Sequence, residues 1–265
     1  MMLALNTENV SMEQVQSLAI HWLLILVIVA FFAGYVDAIA GGGGMILIPA
    51  LLFAGIPAVA AMAVNKIVAM SGTTIAVIKF ALARQVNWKV VAWSALPCLL
   101  ASYLGGRAAL HVSDALLAWA ILICIPIALY FVLRGKQAVK LSSAASAKQS
   151  PFALAPIGFY DGLLGPGTGT YMTIAMRRVL SLDYLQATAS TKPLNLLTNI
   201  GAAIAFLLAG KVIWGLALPM LLANMAGAWL GSHSAIRNGE KFIRYMLIVV
   251  LTVMLVANLI KLLMG

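Results

Sequence analysis

Apolar residues run almost unbroken along most of the chain, and polar positions interrupt them at a few places rather than alternating with them. Runs near 21 to 33, 57 to 83, 90 to 104, 115 to 133, 194 to 209, 212 to 230 and 245 to 263 predict membrane-spanning helices. Most of them approach the ~20 helical residues needed to cross a ~30 Å hydrocarbon core. Two stretches depart from this pattern. At 34 to 55 and 152 to 176 the apolar sequence is cut by "GYVDAIAGGGGM" and "GFYDGLLGPGTGT", each joining an aspartate to residues that stop a helix. Lipid cannot satisfy the backbone groups that such a break frees, so it survives only where it lines protein or a water-filled cavity. The helix that resumes after each break presents its N-terminal donors and the positive end of its dipole there. An anion suits that place.

Composition sharpens the class. The 265 residues are 63% hydrophobic and 9% charged, with a mean hydropathy of +1.04, which predicts an all-α integral membrane protein without a soluble domain. The formal charge of +10 is not gathered into a basic patch interleaved with aromatics, so nucleic acid is not expected as a partner. Residues 1–19 carry Glu8 and Glu13 and no Lys or Arg. They therefore lack the basic start of a secretory signal peptide and are expected to remain as an extracytoplasmic tail. Cys98 and Cys124 sit inside apolar runs, where a thiol acts as a small buried hydrophobe, and no disulfide or metal framework is legible.

The two broken segments are copies. Gly34-Tyr35-Val36-Asp37 matches Gly158-Phe159-Tyr160-Asp161 at an offset of 124. Asn65-Lys66 matches Thr191-Lys192, Trp88 matches Trp214, and Leu104-Gly105 matches Leu230-Gly231, all at 126. The chain thus reads as a first transmembrane repeat over 20–134, a cytoplasmic linker over 135–151 and a second repeat over 152–265. With the linker inside, eleven of the 17 Lys and Arg residues fall on the cytoplasmic side and three, Arg107, Lys211 and Lys261, outside. Both termini then lie outside. The turn at 84 to 89 is inside while its mate near 211 is outside, so the repeats are inverted. Each has three full transmembrane helices and a glycine-broken helical hairpin, an arrangement used by transporters to place substrate at mid-membrane. Counting each broken segment as a single span gives parallel halves of four helices instead.

Charge inside a span costs ~2.5 to 3.5 kcal/mol per residue on insertion scales, so such residues usually face a cavity or a partner. Here the expense is duplicated, as Asp37 with Asp161 and Lys66 with Lys192. The expected substrate-binding residues are Lys66, Lys192, Asn65, Thr191, Gly42, Gly43, Gly44, Gly167, Thr168, Gly169, Thr170, Asn195 and Asn199. The last two continue, with Thr188 and Lys192, one face of a helix that Pro193 should kink or break. Asp37 and Asp161 are candidates for proton coupling or for a structural role. Duller readings stand beside these. On these, the glycines serve close helix packing, Asp37–Lys66 and Asp161–Lys192 are plain ion pairs, and Lys79 only snorkels to the interface.

The pattern "GYVDAIAGGGGMILIPALL" with "NK" at 65–66, then "GFYDGLLGPGTGTYM" with "ATASTKPLNLLTNIGA", resembles the sulfite exporter TauE/SafE family over about 20–263. The resemblance implies a carrier in the bacterial inner membrane for a sulfur-containing anion such as sulfite, thiosulfate or an organosulfonate. Sequence by itself reaches only "anion". Export needs no ATP, because each negative charge leaving a cell at about 100 mV gains roughly 2.3 kcal/mol, and no phosphate-loop motif is present. The expected partners are a small anion and membrane lipid, homo-oligomerisation is left open, and no cofactor or metal is expected. Two other classes remain. A cation or metal carrier would use the two aspartates; a membrane-embedded enzyme would need a nucleophile with its base, and no H-E-x-x-H or C-x-x-C spacing occurs.

Overall fold

The computed structural model describes residues 20–121, 123 and 147–264, and all regular structure among them is helical. The expected tail at 1–19, linker residues 135–146 and Cys124 lie outside the described residues. The first half comprises α1 (Ile20–Ala40), α2 (Gly43–Phe53), α3 (Ala58–Leu82), α4 (Trp88–Ala109) and α5 (114–121). After a 3-10 turn at Ala147–Gln149 come α6 (Ser150–Leu163), α7 (Thr168–Leu180), α8 (Tyr184–Leu208) and α9 (Trp214–Met264). Gly239, with φ 69°, divides α9 inside the basic stretch from Arg237 to Arg244.

Among these helices, Trp22–Ala40, α3, α8 and Trp214–Gly239 are long and apolar enough to cross a membrane. Their outer faces carry exposed Leu24, Ile28, Leu82, Leu208 and Leu222, a distribution suited to hydrocarbon rather than water. The apolar core lies between α1, α2, α3, α8 and α9, where Leu26, Leu47, Val64, Phe206 and Met220 are buried.

Two expectations are corrected. The predicted span at 194 to 209 begins ten residues earlier, at Tyr184, because Asp183 caps the helix by accepting the Gln186 N–H at 2.8 Å. The polar residues that follow are helical and buried, so hydropathy conceals them. Nor does Pro193 break the helix: α8 runs uninterrupted through it. The lost N–H is tolerated inside a packed bundle, where neighbouring groups re-satisfy the freed carbonyl.

Elements recur at the offsets found in the sequence. Helices α3 and α8 have 25 residues each, with both ends 126 apart, and α4 and α9 start at the paired Trp88 and Trp214. Left-handed backbone after the helices recurs too: Gly55 (φ 83°) with Ser181 (φ 56°), and Arg84 (φ 56°) with Gly210 (φ 65°). In each pair one half uses the glycine that this conformation favours and the other does not.

Helix packing crosses between the halves. Helix α1 packs chiefly on α9, and α6 on α4. A Cβ at Gly105 would lie 2.1 Å from the Phe159 carbonyl oxygen, and one at its mate Gly231 would lie 2.2 Å from the oxygen of Tyr35, the mate of Phe159. Both contacts therefore require a residue without a side chain, as small-residue membrane interfaces do.

Candidate functional site

At the end of α1, Gly41 takes φ 72° and its N–H donates to Asp37 O at 2.7 Å, closing the helix. Gly43 then opens α2, its N–H donating to Asp37 Oδ1 at 3.2 Å. A Cβ on Gly43 would meet Ala33 O and Asp37 Cβ at 2.7 Å each, so the chain has already turned back along α1. The second break follows the same logic. Gly165 (φ 93°) and Gly167 (φ 78°) carry the chain from α6 to α7, and the Thr168 hydroxyl at the first residue of α7 bonds Asp161 Oδ1 at 2.6 Å. Each aspartate therefore sits at the positive end of the half-helix that follows it. The place suggested for an anion is held by the protein's own carboxylate.

The two breaks touch. A Cβ on Gly41 would come within 2.4 Å of Gly169 Cα, and the Thr170 hydroxyl donates to Ala40 O at 2.9 Å. From this junction the lysines reach across the halves. Lys66 Nζ lies 2.7 Å from Asp161 Oδ1, with side chains 1% and 2% exposed. Lys192 Nζ lies 3.3 Å from Asp37 Oδ2 and also bonds Asp37 O, with exposures of 0% and 13%. The pairs entertained from the sequence, Asp37–Lys66 and Asp161–Lys192, are thus exchanged. Packing of α3 on α8 carries each lysine to the other half's break. Two ammonium groups and two carboxylates cancel.

Beside these groups lies a small, half-open pocket with room for about one water, lined from both halves. Of the expected site residues, Gly44, Asn65, Lys66, Thr168, Gly169, Asn195 and Asn199 line it, together with Asp37 and Asp161. Gly41, Ala69 and Gly165 line it as well. Both glycines belong to the broken motifs, and Ala69 is the repeat mate of Asn195, so the duplication itself carried the signal.

Other expected residues lie elsewhere. Lys192 is fully buried on Asp37. Thr191 accepts from the Thr173 hydroxyl at 3.4 Å and meets Met176 Sδ at 3.6 Å, between α7 and α8. Gly42 and Gly167 are the residues preceding α2 and α7, Gly43 is held by Asp37, and Thr170 is spent on α1. Thr73 was missed: its hydroxyl is 3.5 Å from Asp37 Oδ2, and its position as the mate of Asn199 could have flagged it. Lys79 places its ammonium 4.0 Å from the centre of the Trp229 ring, so it gains a cation–π contact as well as its place near the helix end.

Hydrogen bonding in the cavity is incomplete. Among the described residues, Asn65 Oδ1, Asp161 Oδ2 and Asn199 Nδ2 are buried without a partner, and all three residues line the space. Orphan donors and acceptors of this kind ask for a ligand or ordered water. Among the described residues no three His, Cys, Asp or Glu side chains gather at metal-ligating distance.

A family model described as "Sulfite exporter TauE/SafE" matches residues 26–258. The chain is 40% identical over 238 residues to a probable membrane transporter protein, ORF9, of Sinorhizobium sp, covering 89% of this chain and 91% of the relative. It is 36% identical over 234 residues to the probable membrane transporter protein YfcA of Escherichia coli (strain K12), covering 87% of each. A probable membrane transporter protein of Haemophilus influenzae is 34% identical over 253 residues, 92% of this chain and 96% of the relative. No solved structure matches the chain.

Proposed function

This chain belongs to the sulfite exporter TauE/SafE family of multi-pass membrane transporters, and from that premise we propose that it is a secondary carrier for a small sulfur-containing anion. Sulfite, thiosulfate or an organosulfonate would bind in the central cavity and cross by alternating access of two inverted halves. The direction proposed is export across the bacterial inner membrane, with both termini outside. The observation that carries this reading is the meeting of two half-helix starts, Lys66 and the orphan Asn199 amide around one small pocket, where an entering anion would compete with Asp37 and Asp161 for the donors they now hold. Donors of that kind replace the hydration of an oxyanion without fixing a single substrate. What supports inverted halves is the turn-back at Gly43, which makes the first broken segment a hairpin rather than a single span.

The test is uptake by purified protein in liposomes, with sulfite, thiosulfate, sulfoacetate, sulfate, chloride and nickel offered separately. A sulfur oxyanion should enter, and Lys66→Ala or Lys192→Ala should abolish its flux while the protein still inserts. Wild-type flux in both variants, or movement of nickel alone, would overturn the reading.

A further inference from the structure

The cavity leaves Asp161 half satisfied. Its Oδ1 receives both Lys66 and the Thr168 hydroxyl, while Oδ2 has no partner although the residue is only 2% exposed. Asn65 Oδ1 on α3 is a second orphan acceptor in the same lining, in a residue 3% exposed. Two buried acceptors call for a donor or a cation. A metal or sodium ion there would face the Lys66 ammonium, already 2.7 Å from the carboxylate. A proton on Oδ2 supplies a donor without a second cationic centre, and it breaks no bond that Oδ2 now makes.

Asp37 differs. Its Oδ1 receives the Gly43 N–H, and its Oδ2 receives Lys192 and Thr73, so a proton on either oxygen competes with an existing partner. The other groups around Asp161 do not take its place. Lys66 comes from α3, and the Cys98 thiol from α4 lies within electrostatic range. Thr168 opens α7, the Tyr160 phenol of α6 donates to Pro166 O at 2.6 Å, and Lys192 of α8 is bound to Asp37 of α1.

Resting on the anion-carrier reading, we propose that Asp161 is the proton-coupling site: one proton binds its carboxylate for each anion admitted to the cavity. Charge dictates the exchange. In the empty site Lys66 and Asp161 cancel, so an entering oxyanion would set two anionic groups against one ammonium in a poorly solvated place. With the proton on Asp161 Oδ2, the lysine passes from the aspartate to a substrate oxygen. On release the anion and the proton leave together, and Lys66 returns to the carboxylate. A monoanion then crosses with no net charge, driven by the gradients of anion and pH alone, whereas thiosulfate, a dianion, crosses with one net negative charge and still responds to the membrane potential.

The experiment uses thiosulfate, which holds no proton of its own near neutral pH, and the full chain in liposomes enclosing a pH indicator. Thiosulfate entry should acidify the lumen by one proton per anion. Uptake should fall as the outside is made more alkaline, because each anion admitted takes a proton from that side. In Asp161→Asn, which mimics the protonated side chain, thiosulfate should still bind, as read by equilibrium dialysis. That binding should no longer depend on pH, and any remaining flux should carry no proton. In Asp37→Asn the ratio should stay at one whatever the rate. Thiosulfate flux without acidification in the wild type, or a ratio of one in Asp161→Asn, overturns the proposal while leaving the carrier intact. Absence of flux for every sulfur oxyanion defeats both.

Discussion

Asp37 and Asp161 occupy matching places in a duplicated chain, yet their surroundings are not equivalent. Asp37 is bound on both oxygens, by the Gly43 N–H, Thr73 and Lys192, and retains 13% exposure. Asp161 is bound on one oxygen only, by Lys66 and Thr168, and is almost fully buried. The difference begins with sequence divergence: Asn65 in the first half faces the cavity, whereas its mate Thr191 is turned toward Met176. The two copies of the broken hairpin thus differ in their hydrogen bonding: one aspartate has both oxygens bound and the other has one oxygen without a partner. Buried ion pairs are weak evidence of stability in themselves. Here the crossed pairing fixes which half docks on which, since each lysine meets a carboxylate only across the interface.

The strongest way to break this comparison is to remove one lysine at a time. Lys66→Ala should destabilise the protein by about 3 to 5 kcal/mol in detergent unfolding, because Asp161 is left buried with only Thr168. Lys192→Ala should cost less, since Asp37 keeps the Gly43 N–H and Thr73 and is less buried. A double-mutant cycle should couple Lys66 with Asp161 and show near-zero coupling of Lys66 with Asp37. The reverse result would mean that the pairs form within halves.

Next in size are the crossed packing contacts. Gly105→Ala and Gly231→Ala should each destabilise by about 1 to 3 kcal/mol through overpacking against a carbonyl, and by similar amounts if the two interfaces are true mates. A tolerated change at one alone would show that they are not. At the joints themselves, Thr168→Val should cost about 1.5 to 3 kcal/mol, the worth of a hydrogen bond to a charged group. Thr73→Val, at 3.5 Å from its carboxylate, should cost distinctly less in the same unfolding assay. The smallest effect is a gain: Ser181→Gly should raise stability by about 1 kcal/mol, because φ 56° disfavours a Cβ there while its mate Gly55 already has none. No change in melting temperature would argue that this turn relaxes in solution.

Helices, breaks and repeat were legible because their causes are local. A run of apolar residues long enough for a bilayer must be helical, a glycine cluster interrupts it wherever it sits, and a copied motif remains visible without knowing its partner. Thus Gly41 to Gly44 and Gly165 to Gly169 marked the breaks, and Lys66 and Lys192 stood out as charges in apolar surroundings. The start of α8 was less legible, because its polar first turns are stabilised by burial against neighbours that hydropathy does not register. What tertiary structure alone decided was partnership: Lys66 with Asp161, Lys192 with Asp37, and the orphan atoms of Asn65, Asp161 and Asn199 gathered into one space. The chemistry of a charge is written in its residue type, but its neighbour, some 95 or 155 positions away, is set by how the helices pack across the two halves.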